Sequence, residues 1–183
     1  MEYLGLESNK ISVARAEALS DLTALKHLNI SNNPISHIEV GIFGGCPSLN
    51  FIELHSTELI SLNEFSFYDI SNLNYISLYR TPMLTSVHGN AFKDLPSLTI
   101  ILLQHSGIHM LDYWMFSNTP NMEYLVLDEN KLTAIPHLLL QEARLSNLKW
   151  LTLRGNKISD INDIADKQFL PGTLILKDLS LIH

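Results

Sequence analysis

The stretch Leu25-Lys-His-Leu28-Asn-Ile30-Ser-Asn-Asn33-Pro-Ile35 decides the fold, because its spacing of apolar residues recurs along the whole chain. The frame L-x-x-L-x-L-x-x-N-x-L also begins at residues 1, 49, 73, 98, 122 and 148, so that successive starts are 24, 24, 24, 25, 24 and 26 residues apart. A partial copy begins at Leu176. Self-similarity at a fixed period of this length is typical of repeat proteins. We therefore expect a single domain over residues 1–183, with seven full repeats and a truncated eighth.

Each repeat is expected to contribute one short strand to a shared sheet. Two apolar residues separated by one position, such as Leu28 and Ile30, lie on the same side of a strand and face the interior. One repeat cannot bury this apolar side alone, whereas stacked repeats bury it between them. The sequence predicts an α/β repeat solenoid, a horseshoe with a parallel β-sheet on the concave side and an irregular or short-helical convex side.

Two further ladders follow the same period. A short polar residue at the turn after each strand can satisfy buried backbone groups, and it is found at Asn9, Asn33, Thr57, Thr81, Ser106, Asn130 and Asn156. Three of these residues carry a hydroxyl instead of an amide, so we expect fewer hydrogen bonds and local irregularity between Thr57 and Ser106. The second ladder is apolar and is expected to fill the convex side as packing: Leu19, Phe43, Phe67, Phe92, Phe116, Leu140 and Phe169.

Composition excludes several classes of function. The net charge of −7 and the lack of basic clusters disfavour nucleic acid or an anionic membrane and suit a protein or a basic ligand. No apolar run approaches the length of a membrane span, so direct membrane insertion is not expected. The single cysteine, Cys46, falls at a core position and is interpreted as a small buried hydrophobe. Nucleophile, metal and nucleotide motifs are missing, and the sequence predicts no enzyme, no cofactor and no metal.

The frame from Leu25 to Phe43 and from Met122 to Leu140 resembles the typical 24-residue subclass of extracellular leucine-rich-repeat proteins. This subclass includes Toll-like receptors, chaoptin-like adhesion proteins and small leucine-rich proteoglycans. The stretch from Leu84 to Leu98 is also similar to the ectodomains of glycoprotein-hormone receptors. The resemblance implies an extracellular or cell-surface location. Such ectodomains usually carry cysteine-rich caps, which this sequence does not show, so we expect either an excised central segment, with open ends that can self-associate, or a protein whose caps are not based on cysteine.

The outward-facing residues of the predicted strands form columns across the concave sheet. In the column before the second leucine of each repeat, five of seven residues are aromatic. Aromatic residues and arginine supply most of the energy of protein interfaces. The candidate binding residues are Phe51, Tyr75, Tyr79, Arg80, Tyr124 and Trp150. Because aromatic residues also stabilise sheets by cross-strand pairing, the alternative is a column that stacks only on itself.

Two smaller features of this surface, a glycosylation sequon and a set of histidines, can each be interpreted with or without a function. Asn29-Ile30-Ser31 matches the N-glycosylation sequon, and a glycan on Asn29 would block the second repeat, although the sequon can equally be unused. His27, His55 and His105 lie at concave positions and could release a ligand at mildly acidic pH. The alternative is that they are ordinary scattered surface histidines.

The sequence therefore leaves two functions of different class. The first is a non-catalytic protein-recognition module of a receptor or adhesion ectodomain, including receptors of innate immunity, with a macromolecular ligand on the concave face. The second is a structural, matrix or assembly module that has no dedicated ligand site and associates through its ends.

Overall fold

A computed structural model describes residues 1–112, 114–134 and 145–159. Seven three-residue strands form one parallel sheet in the order β1-β3-β5-β7-β9-β10-β11. They are β1 (Tyr3–Gly5), β3 (His27–Asn29), β5 (Phe51–Glu53), β7 (Tyr75–Ser77), β9 (Ile100–Leu102), β10 (Tyr124–Val126) and β11 (Trp150–Thr152). Each strand begins two residues after a predicted repeat start, which confirms the repeat solenoid. The partial repeat from Leu176 lies outside the described residues, and the single domain stays a prediction.

The return side of each described repeat contains little regular structure. Two-residue strands pair as β2 (Val13–Ala14) with β4 (His37–Ile38) and as β6 (Ser61–Leu62) with β8 (Ser86–Val87). A 3₁₀ turn spans Ala16–Leu19. This agrees with the expected irregular or short-helical convex side. No helix within the described ranges is long and apolar enough to span a bilayer.

The core consists of inward-facing leucine and isoleucine pairs on one side and a stack of rings on the other. Leu28, Ile76 and Leu125 are among the strand residues with no exposed surface. The phenylalanine spine, Phe43, Phe67, Phe92 and Phe116, runs behind them with ring centroids 5.4, 5.3 and 5.7 Å apart and interplanar angles of 9, 17 and 17°. Its members are at most 1% exposed, so the structural interpretation of this ladder is confirmed for them.

Cys46 belongs to the same core. Its side chain is fully buried, and its Sγ donates to the carbonyl oxygen of Leu19 at 3.4 Å. Burial raises the pKa of the Cys46 thiol, which keeps it protonated and unreactive. The residue is therefore the small buried hydrophobe that the sequence predicts.

The turn after each strand is set by a left-handed residue that the sequence analysis did not identify. Ser8, Asn32, Ser56, Arg80, His105, Glu129 and Gly155 all have φ between 52 and 68°. Only one of these is glycine, although this conformation is costly for other residues. The first six are held by backbone bonds to the next repeat, as when the Arg80 N–H donates to the Gln104 carbonyl at 2.9 Å.

The asparagine positions tie neighbouring repeats together more firmly than the hydroxyl positions. Asn33 accepts from the Ile11 N–H at 3.0 Å and donates to the carbonyls of Leu6 and Ile30. Thr57, by contrast, donates to the Leu54 carbonyl of its own repeat. The thinner ladder is thus observed, while the strands β5, β7 and β9 themselves remain in unbroken register. Backbone pairing between strands keeps the register without the amide.

Candidate functional site

The outward-facing residues of the strands form the columns predicted from the sequence. Parallel pairing aligns the first position of each strand with that of its neighbours. We call these residues the aromatic column: Tyr3, His27, Phe51, Tyr75, Ile100, Tyr124 and Trp150. Tyr3 is 52% exposed, Phe51 41% and Tyr124 37%, while the other members are half-buried. The column therefore carries rings on six of the seven strands of the described sheet, the exception being β9 with Ile100.

The first four members of the column also contact each other. Tyr3 and His27 meet edge to face at 4.9 Å, His27 and Phe51 are 5.6 Å apart, and Phe51 and Tyr75 are 5.9 Å apart. Their interplanar angles of 81, 41 and 45° leave the faces of the rings partly uncovered. Self-stacking and exposure thus coexist, and Ile100 interrupts the ring contacts after Tyr75.

Tyr79 and Arg80, the other two candidates of the central repeats, lie just beyond strand β7. The Tyr79 ring stacks on His55 of the preceding repeat, with centroids 4.3 Å apart and an interplanar angle of 11°. Arg80 Cζ lies 6.0 Å from the centroid of the Tyr79 ring, at the distance of a cation–π contact. The structure therefore brings Phe51, Tyr75, Tyr79 and Arg80 together in two adjacent repeats. Tyr124 and Trp150 lie farther along the sheet, on β10 and β11.

A carboxylate lies between two histidines beside these rings. Glu53 Oε1 is 2.7 Å from His27 Nε2, and Glu53 Oε2 is 3.7 Å from His55 Nε2. Burial lowers the pKa of His55, whereas the negative charge of Glu53 opposes this decrease and the positive charge of Arg80 adds to it. Both histidines had been noted as concave residues, but nothing in the sequence indicated that they share one carboxylate.

Tyr75 is a half-buried ionisable ring of this group. Burial raises the pKa of its phenol, and the nearby charges of Glu53 and Tyr79 add to the increase. A hydrogen bond with the Ser77 hydroxyl, two residues along the same strand, opposes the increase in part. The phenol is therefore neutral at physiological pH and can act as a hydrogen-bond donor.

Buried polar atoms without a partner are concentrated on this face. Within the described ranges, the buried side-chain atoms that make no hydrogen bond of ordinary length and angle are Ser31 Oγ, Ser77 Oγ, Gln104 Oε1 and Thr152 Oγ1. All four belong to outward-facing positions of the concave sheet or of the turn that follows it. Leaving such a group unpaired costs about 1–3 kcal/mol, so native proteins rarely tolerate it without a reason. Sequence reasoning missed this set, because a serine at an outward position is expected to be solvated.

The later half of the face is more apolar than the first half. Ile100, Leu102 and Val126 are half-buried, so they contribute less open apolar surface than the sequence suggested. Beside them, the Asp128 carboxylate accepts from the Arg154 N–H at 2.8 Å. This half of the concave face is therefore an apolar surface with polar residues, Asp128 and Arg154, at its edge.

Asn29, the glycosylation candidate, is half-buried at the end of β3. Its Oδ1 accepts from the N–H of Ser31, the third residue of the sequon, at 3.1 Å. The Ser31 side chain itself is fully buried. The amide therefore has a local role in the turn, and its glycosylation stays a prediction.

One cavity lies away from the concave face. It has a volume of about 420 Å³ and is bordered by residues 85–90 together with His109, Met110, Asp112 and Trp114. Tyr113 lies outside the described residues. Among the residues that the structure describes, no group of three histidine, cysteine or acidic side chains could hold a metal ion. This cavity is therefore not a candidate metal site, and the concave sheet remains the candidate binding surface.

Comparison with known proteins agrees with this architecture. Podocan of Mus musculus is 25% identical over 90% of this chain and 27% of its own length, and chaoptin of Drosophila melanogaster is 33% identical over 87% of this chain and 12% of its own length. The chain thus spans about a quarter or less of these relatives. The solved structure of a TLR13–ssRNA13 complex superimposes with a TM-score of 0.65 at 24% identity, covering 76% of this chain and 23% of that one.

A family model accounts for most of the sequence. Residues 12–146 match the BspA-type leucine-rich repeat region in six copies. This match and the chaoptin similarity confirm the resemblance that the repeat frame indicated. The chain belongs to the BspA-type leucine-rich-repeat family.

Proposed function

We propose that the chain is a recognition module that binds a protein partner on its concave face, within a cell-surface or secreted receptor or adhesion protein. The observation that carries the proposal is the location of the unpartnered buried polar atoms. Ser31, Gln104 and Thr152 all belong to this one face, and so does Ser77, whose hydroxyl interacts only with Tyr75. Polar groups of a partner, or waters held between the two surfaces, would complete their hydrogen bonds.

The candidate residues supply the apolar part of such an interface. Phe51 and Tyr124 are exposed rings on a rigid sheet, so binding costs little side-chain entropy. Tyr75, Tyr79, Arg80 and Trp150 surround them with half-buried rings and one cation. Rigid aromatic anchors beside hydrogen-bonding groups are typical of the centres of protein interfaces.

A protein partner suits the charge of the chain better than nucleic acid does. The structural neighbour TLR13 is named in complex with single-stranded RNA. This chain, however, carries a net charge of −7, and its concave face holds the carboxylates of Glu53, Asp128 and Glu129. These would repel phosphate groups. The chain belongs to a leucine-rich-repeat family, and the role that we propose for it is recognition and not catalysis.

The experiment is a binding screen followed by matched substitutions. The purified full chain is screened against an array of secreted and cell-surface ectodomains, and the affinity of each saturable partner is measured for Tyr124→Ala and Tyr68→Ala. Both tyrosines are exposed, but Tyr68 lies on the return side of its repeat. We expect Tyr124→Ala to weaken binding about tenfold or more, as for an interface anchor. Loss of binding in Tyr68→Ala with full affinity in Tyr124→Ala would place the interface elsewhere and refute the proposal.

The contacts within the aromatic column favour one other candidate function. Because Tyr3, His27, Phe51 and Tyr75 already contact each other, the chain could serve as a structural or assembly module without a ligand site. Such a module would self-associate, whereas a recognition module would remain a monomer. Light scattering of the purified chain over a hundredfold range of concentration separates the two functions.

A further inference from the structure

The cavity on the return side lies at the free edge of the small sheet formed by β6 and β8. β8 pairs with β6 of the preceding repeat, and within the described residues its other edge borders the cavity. The following repeat closes the space with His109, Met110, Asp112 and Trp114. The volume is about 420 Å³, and sites for small organic ligands have volumes of about 300–1,000 Å³. The cavity is therefore large enough for a ligand built on a single ring.

The acidic wall of the cavity depends on Gly89. A Cβ atom at this position would lie 2.8 Å from Asp112 Cγ and 2.9 Å from Asp112 Oδ2, so glycine leaves the space that the carboxylate occupies. Asp112 Oδ1 accepts a hydrogen bond from the backbone N–H of Trp114 at 2.8 Å. The carboxylate is thus held in place through Oδ1, and Oδ2 is left as an acceptor beside Gly89.

Two further polar side chains at the cavity are oriented by hydrogen bonds. The Asn90 backbone N–H donates to His88 Nδ1 at 3.1 Å, so the imidazole of His88 carries an N–H donor at Nε2. Asn90 Nδ2 donates to Glu64 Oε1 at 2.9 Å, which leaves Asn90 Oδ1 as an acceptor. Both His88 and Asn90 border the cavity. The cavity therefore has acceptors at Asp112 and Asn90 and a donor at His88.

The apolar part of the cavity is exposed. Trp114 is 43% exposed and Met110 is 65% exposed, although both are large hydrophobic residues. The backbone of Trp114 is fixed on two sides, because its N–H donates to Asp112 and its carbonyl accepts from Ser117 Oγ at 2.7 Å. An indole is a large, rigid apolar surface. The cavity thus combines a flat apolar wall with oriented hydrogen-bonding groups, which is the usual composition of a small-molecule site.

Three classes of ligand fit this cavity poorly. The described residues contain no group of three side chains that could hold a metal ion. Among the described residues that border the cavity, none is lysine or arginine, and the Asp112 carboxylate would repel an anion. Quaternary ammonium ligands are held by cages of several aromatic rings, whereas Trp114 is the one indole or phenyl ring among these bordering residues. A neutral ligand that both donates and accepts hydrogen bonds fits better.

We propose that this cavity binds a pyranose sugar, with the Trp114 ring against the apolar face of the sugar and the sugar hydroxyls bonded to Asp112, Asn90 and His88. The C–H groups of a pyranose form an apolar face that matches the indole. Each hydroxyl both donates and accepts, as the mixture of acceptors and donor requires. The cavity is separate from the concave face, so this inference goes beyond the proposed function and does not depend on it.

The test is an NMR titration of the full chain with the methyl glycosides of glucose, galactose, mannose and N-acetylglucosamine. The chain has two tryptophans, and Trp150 on the concave sheet is an internal reference. We expect at least one glycoside to give saturable shifts of the Trp114 indole and of the amides of residues 85–90, with the Trp150 indole unchanged. An affinity in the millimolar range is expected for one small hydrated ligand. Sorbitol carries similar hydroxyls without a rigid ring and should give no saturable shift.

Two substitutions locate the site. Trp114→Ala removes the apolar wall and should weaken the bound glycoside about tenfold or more. Gly89→Ala places a methyl group where the Asp112 carboxylate lies and should also weaken binding, with Trp114 intact. Circular dichroism shows that each variant is folded. Tyr68→Ala is the matched control, because Tyr68 is another exposed ring of the return side that does not border the cavity, and it should keep full affinity.

Several results would overturn the inference. They are the absence of saturable shifts with all four glycosides, equal shifts with sorbitol, shifts centred on Trp150, or full affinity in Trp114→Ala and Gly89→Ala. Tighter binding of choline than of any glycoside would replace the sugar site by a cation site. A free monosaccharide is compared with its methyl glycoside, because a site for the end of a glycan accepts the methyl group and a site for a free sugar excludes it. Either of these last two results supports a sugar site.

Discussion

The chain carries two aromatic ladders of the same period, and their environments differ. The phenylalanine spine is at most 1% exposed, and its rings stack within 17° of parallel. In the aromatic column, ring pairs are tilted by 41 to 81°, and three rings keep more than a third of their surface in solvent. Residue type and spacing alone therefore do not separate a packing device from a binding surface; the uncovered ring area does.

Because of this difference in exposure, the buried rings are expected to stabilise the fold and the exposed rings to bind a partner. A ring that is covered on all sides contributes its transfer free energy and its packing to the fold. A ring that contacts one neighbour and faces solvent contributes little to the fold and retains area for a partner. Substitutions in the phenylalanine spine should consequently lower the stability of the fold, whereas substitutions in the aromatic column should mainly lower the affinity for a partner.

The largest effect is expected for Phe67→Ala in the spine. Phe67 is fully buried and stacks on both Phe43 and Phe92. Removing it leaves a cavity and two incomplete contacts, so the free energy of unfolding should fall by about 3–5 kcal/mol. Urea denaturation followed by circular dichroism measures the change.

Phe67→Leu is the matched control for this variant, since Leu19 occupies the corresponding position of the first repeat. Leucine refills most of the volume, and the loss of stability should be clearly smaller. If both variants lost the same amount, ring stacking and not filled volume would be the source of the stability.

Phe51→Ala in the aromatic column should have a much smaller effect on the fold. Phe51 is 41% exposed and contacts His27 and Tyr75 through tilted pairs. Cross-strand pairs of this kind contribute about 0.2–1 kcal/mol each, so we expect the free energy of unfolding to fall by about 0.4–2 kcal/mol for the two pairs. Affinity for an array partner should fall far more than stability does. A stability loss close to that of Phe67→Ala would make the column a second structural ladder.

The fold was predictable because its determinants are local and repeated. The two inward residues of each strand, such as Leu28 and Ile30, fix the face that is buried. The spacing of Phe43, Phe67, Phe92 and Phe116 fixes the second ladder in the same way. A period that recurs in every repeat leaves little freedom for another arrangement.

For the candidate site, the sequence predicted which residues face the concave surface but not the contacts between their side chains. The columns follow from strand alternation, and so does the position of Tyr75 beside Phe51. The Glu53 contacts with His27 and His55 do not follow, because they depend on the side-chain rotamers of residues in two neighbouring repeats. The burial of Ser77 likewise depends on its tyrosine neighbours. The left-handed turn residues escaped prediction because six of the seven are not glycine.

The smallest expected effect is a pH dependence of stability that belongs to the concave face and not to the spine, which has no titratable groups. Burial lowers the pKa of His55 in the folded chain, so folding favours the neutral imidazole. The stabilising contribution of the neutral form is present above the unfolded pKa, about 6.5, and is lost as the pH falls below it. Glu53 opposes this effect without outweighing the burial.

Urea denaturation at pH 7.5, 6.5 and 5.5 for the wild-type chain and His55→Gln measures this contribution. The wild-type chain should lose more stability between the first and last pH than the variant, since glutamine does not titrate. His37→Gln removes an exposed histidine of the return side and should follow the wild-type curve. If His55→Gln also followed that curve, the opposing charge of Glu53 would balance the burial. His27 and His55 would then contact Glu53 without making the stability of the folded chain depend on pH.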